Sequence, residues 1–312
     1  MLKSGSIANL LNVSGQAKRR HQQDNMRTEQ LKYFEENLSE LNDCYSHYIF
    51  VWEQFSIDQS DNLKKHSQKL TTEIFDKNSN SRQFNVSLDY LDSSHNDTQN
   101  LILKSIYQLA YGYFENYLIR LHQFGQSLND EVLDLQQKLE AEDIEDKKIF
   151  EKFFNRLGID IEKSFEPLEI KTLDYIRLRR NRITHRATTA QGLLLDIVNN
   201  HGNKLNEYWD ERLKNKRYKI DFSRKTVDDF DKLELFDFLN IYRKFAAKID
   251  QLFINKIGQL TLTNYILDEF LSANDKSIKG FKDDRKKAKF KMYCKVEFGY
   301  NISDYELEEI EL

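Results

Sequence analysis

The sequence predicts an all-α protein, an antiparallel helical bundle with additional helices. Two observations carry this expectation. One proline, Pro167, and ten glycines interrupt 312 residues of a background rich in Leu, Ile, Lys, Glu and Asp. Apolar residues also recur at spacings of three and four over long windows, the period of one helix face.

Taken in order, residues 1–27 read as a polar leader, with Lys18-Arg19-Arg20 and no clean apolar face. From Thr28 the stripe Leu31, Phe34, Leu38, Leu41, Tyr45, Tyr48, Val51 and Phe55 predicts a long helix, and 61–75 a second amphipathic stretch. Residues 76–97 are rich in Ser, Asn and Asp and read as a loop, with a short extended piece at 84–88. Asp97 then caps a helix to about Phe124, whose stripe is Leu103, Ile106, Tyr107, Ala110, Phe114, Tyr117 and Leu121.

Further helices are expected at 129–141 and at 144–157, the latter closing at Gly158. Pro167 sits just inside the start of a helix over 168–187. A helix over 190–216, broken near 199–202, leads to an alternating segment at 217–222. Thr226, followed by Asp228 and Asp229, begins a Phe-rich helix to about Ile257. The bundle domain therefore spans 28–257. An extension over 258–312, of unknown role, holds one short helix (262–272), a basic run and an acidic end.

Composition narrows the function. A net charge of −4 creates no global field for nucleic acid, so any RNA contact must come from a local basic patch. Cys44 and Cys294 are too few for a disulfide framework or a thiolate metal site. No signal peptide and no run of ~18 apolar residues is present, which points to a cytoplasmic protein without a membrane span. The acidic clusters at 140–146 and 228–231 read as solvated or helix-start charge. Metal spacing and phosphate-cradling glycine loops are missing, so neither metal nor cofactor is expected.

One segment suggests chemistry: Arg180-Asn181-Arg182-Ile183-Thr184-His185, within an arginine-dense run. Arg supplies a permanent cation and His a group able to give and take a proton, two needs of metal-free RNA cleavage. The composition yields Arg-Asn-x-x-x-His by chance only about 0.03 times. On a helix Arg180 falls on the stripe of Leu173, Ile176 and Ile183, while Asn181 and His185 share a face. Arg180 and His185 then point roughly 140° apart. The helix must bend or end at the motif, or two copies must meet.

This Arg-Asn-x-x-x-His element resembles the signature of the HEPN domain superfamily. The helix around Tyr111-Gly-Tyr-Phe-Glu-Asn-Tyr-Leu118, the segment Phe153–Ile159 and the Phe-rich helix at 226–257 are similar to that layout. The resemblance covers about 28–257 and implies an all-α, HEPN-like bundle that acts, often as a homodimer, as a metal-independent endoribonuclease in toxin or antiviral defence systems. It implies that Arg180 stabilises charge on the phosphorane, that His185 acts as general base or acid, and that Asn181 orients the site. The products are a 2′,3′-cyclic phosphate and a 5′-hydroxyl, and DNA is spared. Glu115 is a weaker candidate, on a helix flank with Gln108, Tyr111 and His122.

Arg177, Arg179, Arg182 and Arg186 would hold RNA phosphates, and Lys286 and Lys287, in a basic run interleaved with Phe281 and Phe290, would engage single-stranded RNA. The acidic end at 304–312 is a candidate inhibitory lid. An inhibitory partner protein or an activating ligand is the expected control. The alternative reading is a non-catalytic HEPN-like module that binds RNA or protein.

Overall fold

In this computed structural model, residues 26–135, 148–213, 219–308 and 310 are described. Every regular element among them is a helix, and strand pairing is limited to the isolated bridges Leu70–Ser87 and Thr189–Thr226. The described residues form two compact units, one within 30–256 and one from 257–308 and 310 with 26–29.

The larger unit begins with α1 (Glu29–Asp58), whose buried residues Leu31, Phe34, Leu38, Leu41 and Tyr45 form the stripe expected of an amphipathic helix. Beyond Tyr45 the stripe leaves the core, and Val51 is exposed. Two short helices follow, α2 (Ser60–Lys65) and α3 (Thr71–Ile74).

α4 runs from Leu88 to Leu128, starting ten residues earlier than expected. Its N-cap is Ser87, whose side chain accepts from the Tyr90 N–H at 3.2 Å, and not Asp97. The loop-like residues 93–97 stay helical because α1 supports them. His95 stacks on Trp52 at 3.8 Å between centroids, and its Nδ1 lies 3.1 Å from the Tyr48 hydroxyl.

The helix expected from 129 is not there: 129–135 form turns, in which Asn129 Oδ1 accepts from the Glu131 N–H at 2.9 Å. The rest of that stretch, the acidic cluster at 140–146, the basic leader and residues 217–218 lie outside the described residues. α5 (Ile149–Leu157) ends at Gly158, which takes the left-handed conformation (φ 62°) that only glycine adopts freely.

After α6 (Ile161–Ser164), α7 (Pro167–Thr184) carries the motif, with Pro167 in its first turn. α8 (Leu193–Leu213) returns antiparallel to α7 and is not broken at Gly202. That glycine is a packing feature: a Cβ there would lie 2.6 Å from Ser223 Cα.

α9 (Glu234–Ile257) starts eight residues later than expected from Thr226. The segment before it is held irregular by α7, through Arg179, as described below. α9 is buried nearly all round by Leu235, Phe238, Leu239, Ile241, Tyr242, Phe245, Ile249 and Phe253, as a central bundle helix must be. The Tyr117 hydroxyl of α4 donates to the Ala246 carbonyl of α9 at 3.1 Å.

In the smaller unit, α10 (Gln259–Ile278), α11 (Asp283–Phe298) and α12 (Asp304–Glu308) replace the single short helix expected. The basic run is the outer face of α11. Phe290 is fully buried, 5.3 Å from the Phe270 ring, which gives that helix its inward side. No helix of the described residues is long and apolar enough to cross a membrane.

Candidate active site

Three side chains, Tyr107, Trp209 and Arg179, fix α7 in the bundle. The Tyr107 hydroxyl of α4 donates to the Ile176 carbonyl at 3.1 Å. Trp209 Nε1 of α8 donates to Thr172 Oγ1 at 2.8 Å. Arg179 reaches the segment before α9, with Nε donating to the Val227 carbonyl at 2.9 Å and Nη1 to the Glu234 carboxylate.

The buried stripe of α7 is thus Thr172, Tyr175, Ile176, Arg179 and Ile183. Arg179, not Arg180, is the arginine on the inward face. It is 1% exposed, and its guanidinium lies 4.2 Å from the Phe230 ring centroid. Arg179 therefore cannot reach an RNA phosphate. A buried guanidinium persists only when paired and hydrogen-bonded, and Arg179 has both.

Arg180 is half-buried on the neighbouring flank. Its guanidinium sits 5.1 Å from the Tyr111 ring centroid, and Nη1 donates to Asn181 Oδ1 at 3.1 Å. Tyr111 bonds to Glu115, and burial, followed by the Glu115 charge, pushes its phenol far above the usual range. Arg180, Asn181, Tyr111 and Glu115 form one connected cluster between α4 and α7. His122, expected on the same flank as Glu115, is instead buried, with Nε2 2.9 Å from the Leu133 carbonyl oxygen.

The motif helix ends inside the motif. Thr184 is its last residue and His185 its C-cap, exposed to solvent. The chain then closes a Schellman turn, with the Arg186 N–H donating to the Ile183 carbonyl at 3.0 Å and the Ala187 N–H to the Arg182 carbonyl at 2.9 Å. The residue after the cap must be left-handed, and glycine normally fills it. Here it is Arg186, at φ 57°, the one non-glycine with positive φ among the described residues. A left-handed L-residue here costs roughly 1–2 kcal/mol relative to glycine.

Arg182 is half-exposed, and its Nε donates to the Thr189 carbonyl at 3.2 Å. Arg177 faces Asp174 at 3.6 Å, and its Nε is buried without a hydrogen-bond partner. A cleft of about 460 Å³ between α4, α5, α6 and α7 is lined by Tyr111, Glu115, Lys148, Asp174 and Arg177. Neither Arg180 nor His185 lines it.

The second basic candidate is divided. Lys286 and Lys287 are half-exposed on α11, with Lys286 3.7 Å from Asp283. Phe290 is core and cannot stack on a base, and Phe281 lies under Arg285 at 4.0 Å. From the acidic end, Asp304 pairs with Lys291 at 2.5 Å, while Glu306 accepts from the Tyr300 hydroxyl at 2.6 Å and from Ser303.

Tyr111 was not singled out by sequence as a partner of Arg180, although its place one turn before Glu115 was a usable signal. Among the described residues no three His, Cys, Asp or Glu side chains converge as a metal site would require. No protein-family model, curated protein or solved structure significantly matches this chain.

Proposed function

We propose that this protein is a metal-independent endoribonuclease of the HEPN type, active as a two-fold dimer and employed as a toxin or defence effector. The observation that carries the reading is the end of α7: His185 is exposed at a strained cap, within two turns of an Arg180–Asn181 pair already oriented by Tyr111. His185 takes the proton of the ribose 2′-hydroxyl or returns one to the leaving 5′-oxygen. Arg180 stabilises the charge that builds on the phosphorane oxygens, and its preset orientation avoids reorganisation during the reaction.

Neither of the two clefts beside α7 holds Arg180 or His185, and in this reading a second copy completes the site, its motif end meeting the first across a two-fold axis. Arg186 and Arg182, flanking the cap, contact the RNA backbone.

The test is incubation of the purified protein with RNA in excess chelator. Cleavage with 2′,3′-cyclic phosphate ends, abolished by His185→Ala and by Arg180→Ala and absent on DNA, is the expected result. Cleavage that survives His185→Ala overturns the reading.

A further inference from the structure

A second groove, of about 520 Å³, lies between α7 and α8, with Lys148, Lys171, Asp174, Arg177, Leu193 and His201 on its walls. It sits on the motif's own helix face. At 100° per residue, Lys171, Asp174, Leu178, Asn181 and His185 all fall within about 80° of one another. The groove's α7 wall, from Lys171 to Leu178, thus lies on the helix face that continues to the exposed imidazole, and Lys171 and His185 are about 20 Å apart along the helix axis at 1.5 Å per residue.

Its walls carry three cations, Lys148, Lys171 and Arg177, against two carboxylates, Asp174 and the exposed Asp196, with an apolar shoulder. Lys148 and Arg177 are drawn to Asp174, which they neutralise. Lys171, by contrast, pairs with no carboxylate among the described residues, and the His201 ring makes no side-chain bond there. Leu193, at the first turn of α8, is 68% exposed beside these cations. A half-exposed lysine and an imidazole beside bare aliphatic surface suit a phosphate with a base stacked next to it.

We propose that this groove holds the single-stranded RNA that flanks the scissile nucleotide, with Lys171 and His201 on phosphate and Leu193 under a base. The inference rests on the nuclease reading for its direction along α7, but its binding prediction can be tested separately. Lys171, Leu193 and His201 are positioning residues, and only His185 and Arg180 touch the reacting atoms.

The experiment measures binding of a fluorescent single-stranded RNA to the full-length His185→Ala protein, with and without Lys171→Glu, Lys171→Arg or Leu193→Asp, across a salt series. Lys171→Glu is expected to weaken binding about tenfold and to flatten the salt dependence by about 0.7 in log–log slope, the value for one lost contact to a single strand. Lys171→Arg keeps both, and Leu193→Asp weakens binding. Affinity and slope unchanged by Lys171→Glu overturn the groove, as does a His185→Ala protein that binds no RNA. If wild-type protein fails to cleave while Lys171→Glu still loses affinity, the nuclease reading falls and the groove stands. Cleavage that depends on His185, with binding indifferent to Lys171 and Leu193, has the reverse meaning.

Discussion

Arg179 and Glu234 form an ion pair sealed in the bundle core, one residue along the chain from the half-buried Arg180. Adjacent arginines thus do opposite jobs. Arg179 ties α7 to the segment before α9, and its bonds to the Val227 and Asp229 carbonyls consume backbone groups that a helix from 226 would have needed. Replacing Glu234 with Gln leaves a buried guanidinium uncompensated and should lower stability by about 3–5 kcal/mol. Urea unfolding reads this directly; a loss below about 1 kcal/mol would mean that the pair is not sealed.

The turn after His185 makes a two-sided prediction. Arg186→Gly removes the left-handed strain and should raise stability by roughly 1 kcal/mol. The same change should weaken RNA binding, because the side chain that the strain supports is gone. Stability gained with RNA affinity intact would assign Arg186 no role in substrate contact.

At the start of α4, Ser87→Ala should cost about 1 kcal/mol by removing the cap on the Tyr90 N–H. Asp97→Ala, inside the helix and exposed, should change stability by less than about 0.5 kcal/mol. Equal losses at the two positions would contradict the observed start of the helix.

Gly202→Ala improves intrinsic helix propensity by up to about 1 kcal/mol, yet it should destabilise the protein. The added methyl would meet the backbone of residues 222 and 223, at 2.9 Å from the Phe222 carbonyl oxygen, and backbone cannot rotate away. A net loss of about 1–3 kcal/mol in urea unfolding is expected, and a gain would show that α8 can shift.

Stability should also depend on pH. Burial lowers the pKa of His95 against Trp52, and burial likewise lowers that of His122. The unfolded chain therefore binds these protons more readily than the folded one. Their contribution is complete above about pH 6.5 and is lost as pH falls through the lowered folded-state values. His95→Phe keeps the stack and removes the titration, so its melting temperature should fall less between pH 7.5 and pH 5 than that of the parent. Parallel declines would clear His95.

Much of the fold was legible in the sequence because helical periodicity is a local property. The stripes of α1 and α4, the Gly158 stop and the Pro167 start each depend on residues within a few turns of one another. The errors came where distant contacts overrode local signals. Residues 93–97 look like a loop, yet the stack of His95 on Trp52 keeps them helical. Residues 226–233 look like a helix start, yet Arg179 holds them irregular. In the basic run at 279–291 Phe290 is placed by sequence to meet a base, yet its contact with Phe270 buries it.

The candidate site divides along the same line. The sequence by itself determined that Arg180, Asn181 and His185 lie close along the chain, and that one straight helix could not aim Arg180 and His185 alike. Only tertiary structure decided that α7 ends at Thr184 and that Arg179 is the buried arginine. The same is true of Tyr111, which lies beneath Arg180, and of the groove along α7, which needs α8 as its second wall. The physical reason is that burial and pairing belong to neighbouring helices, whereas periodicity belongs to one.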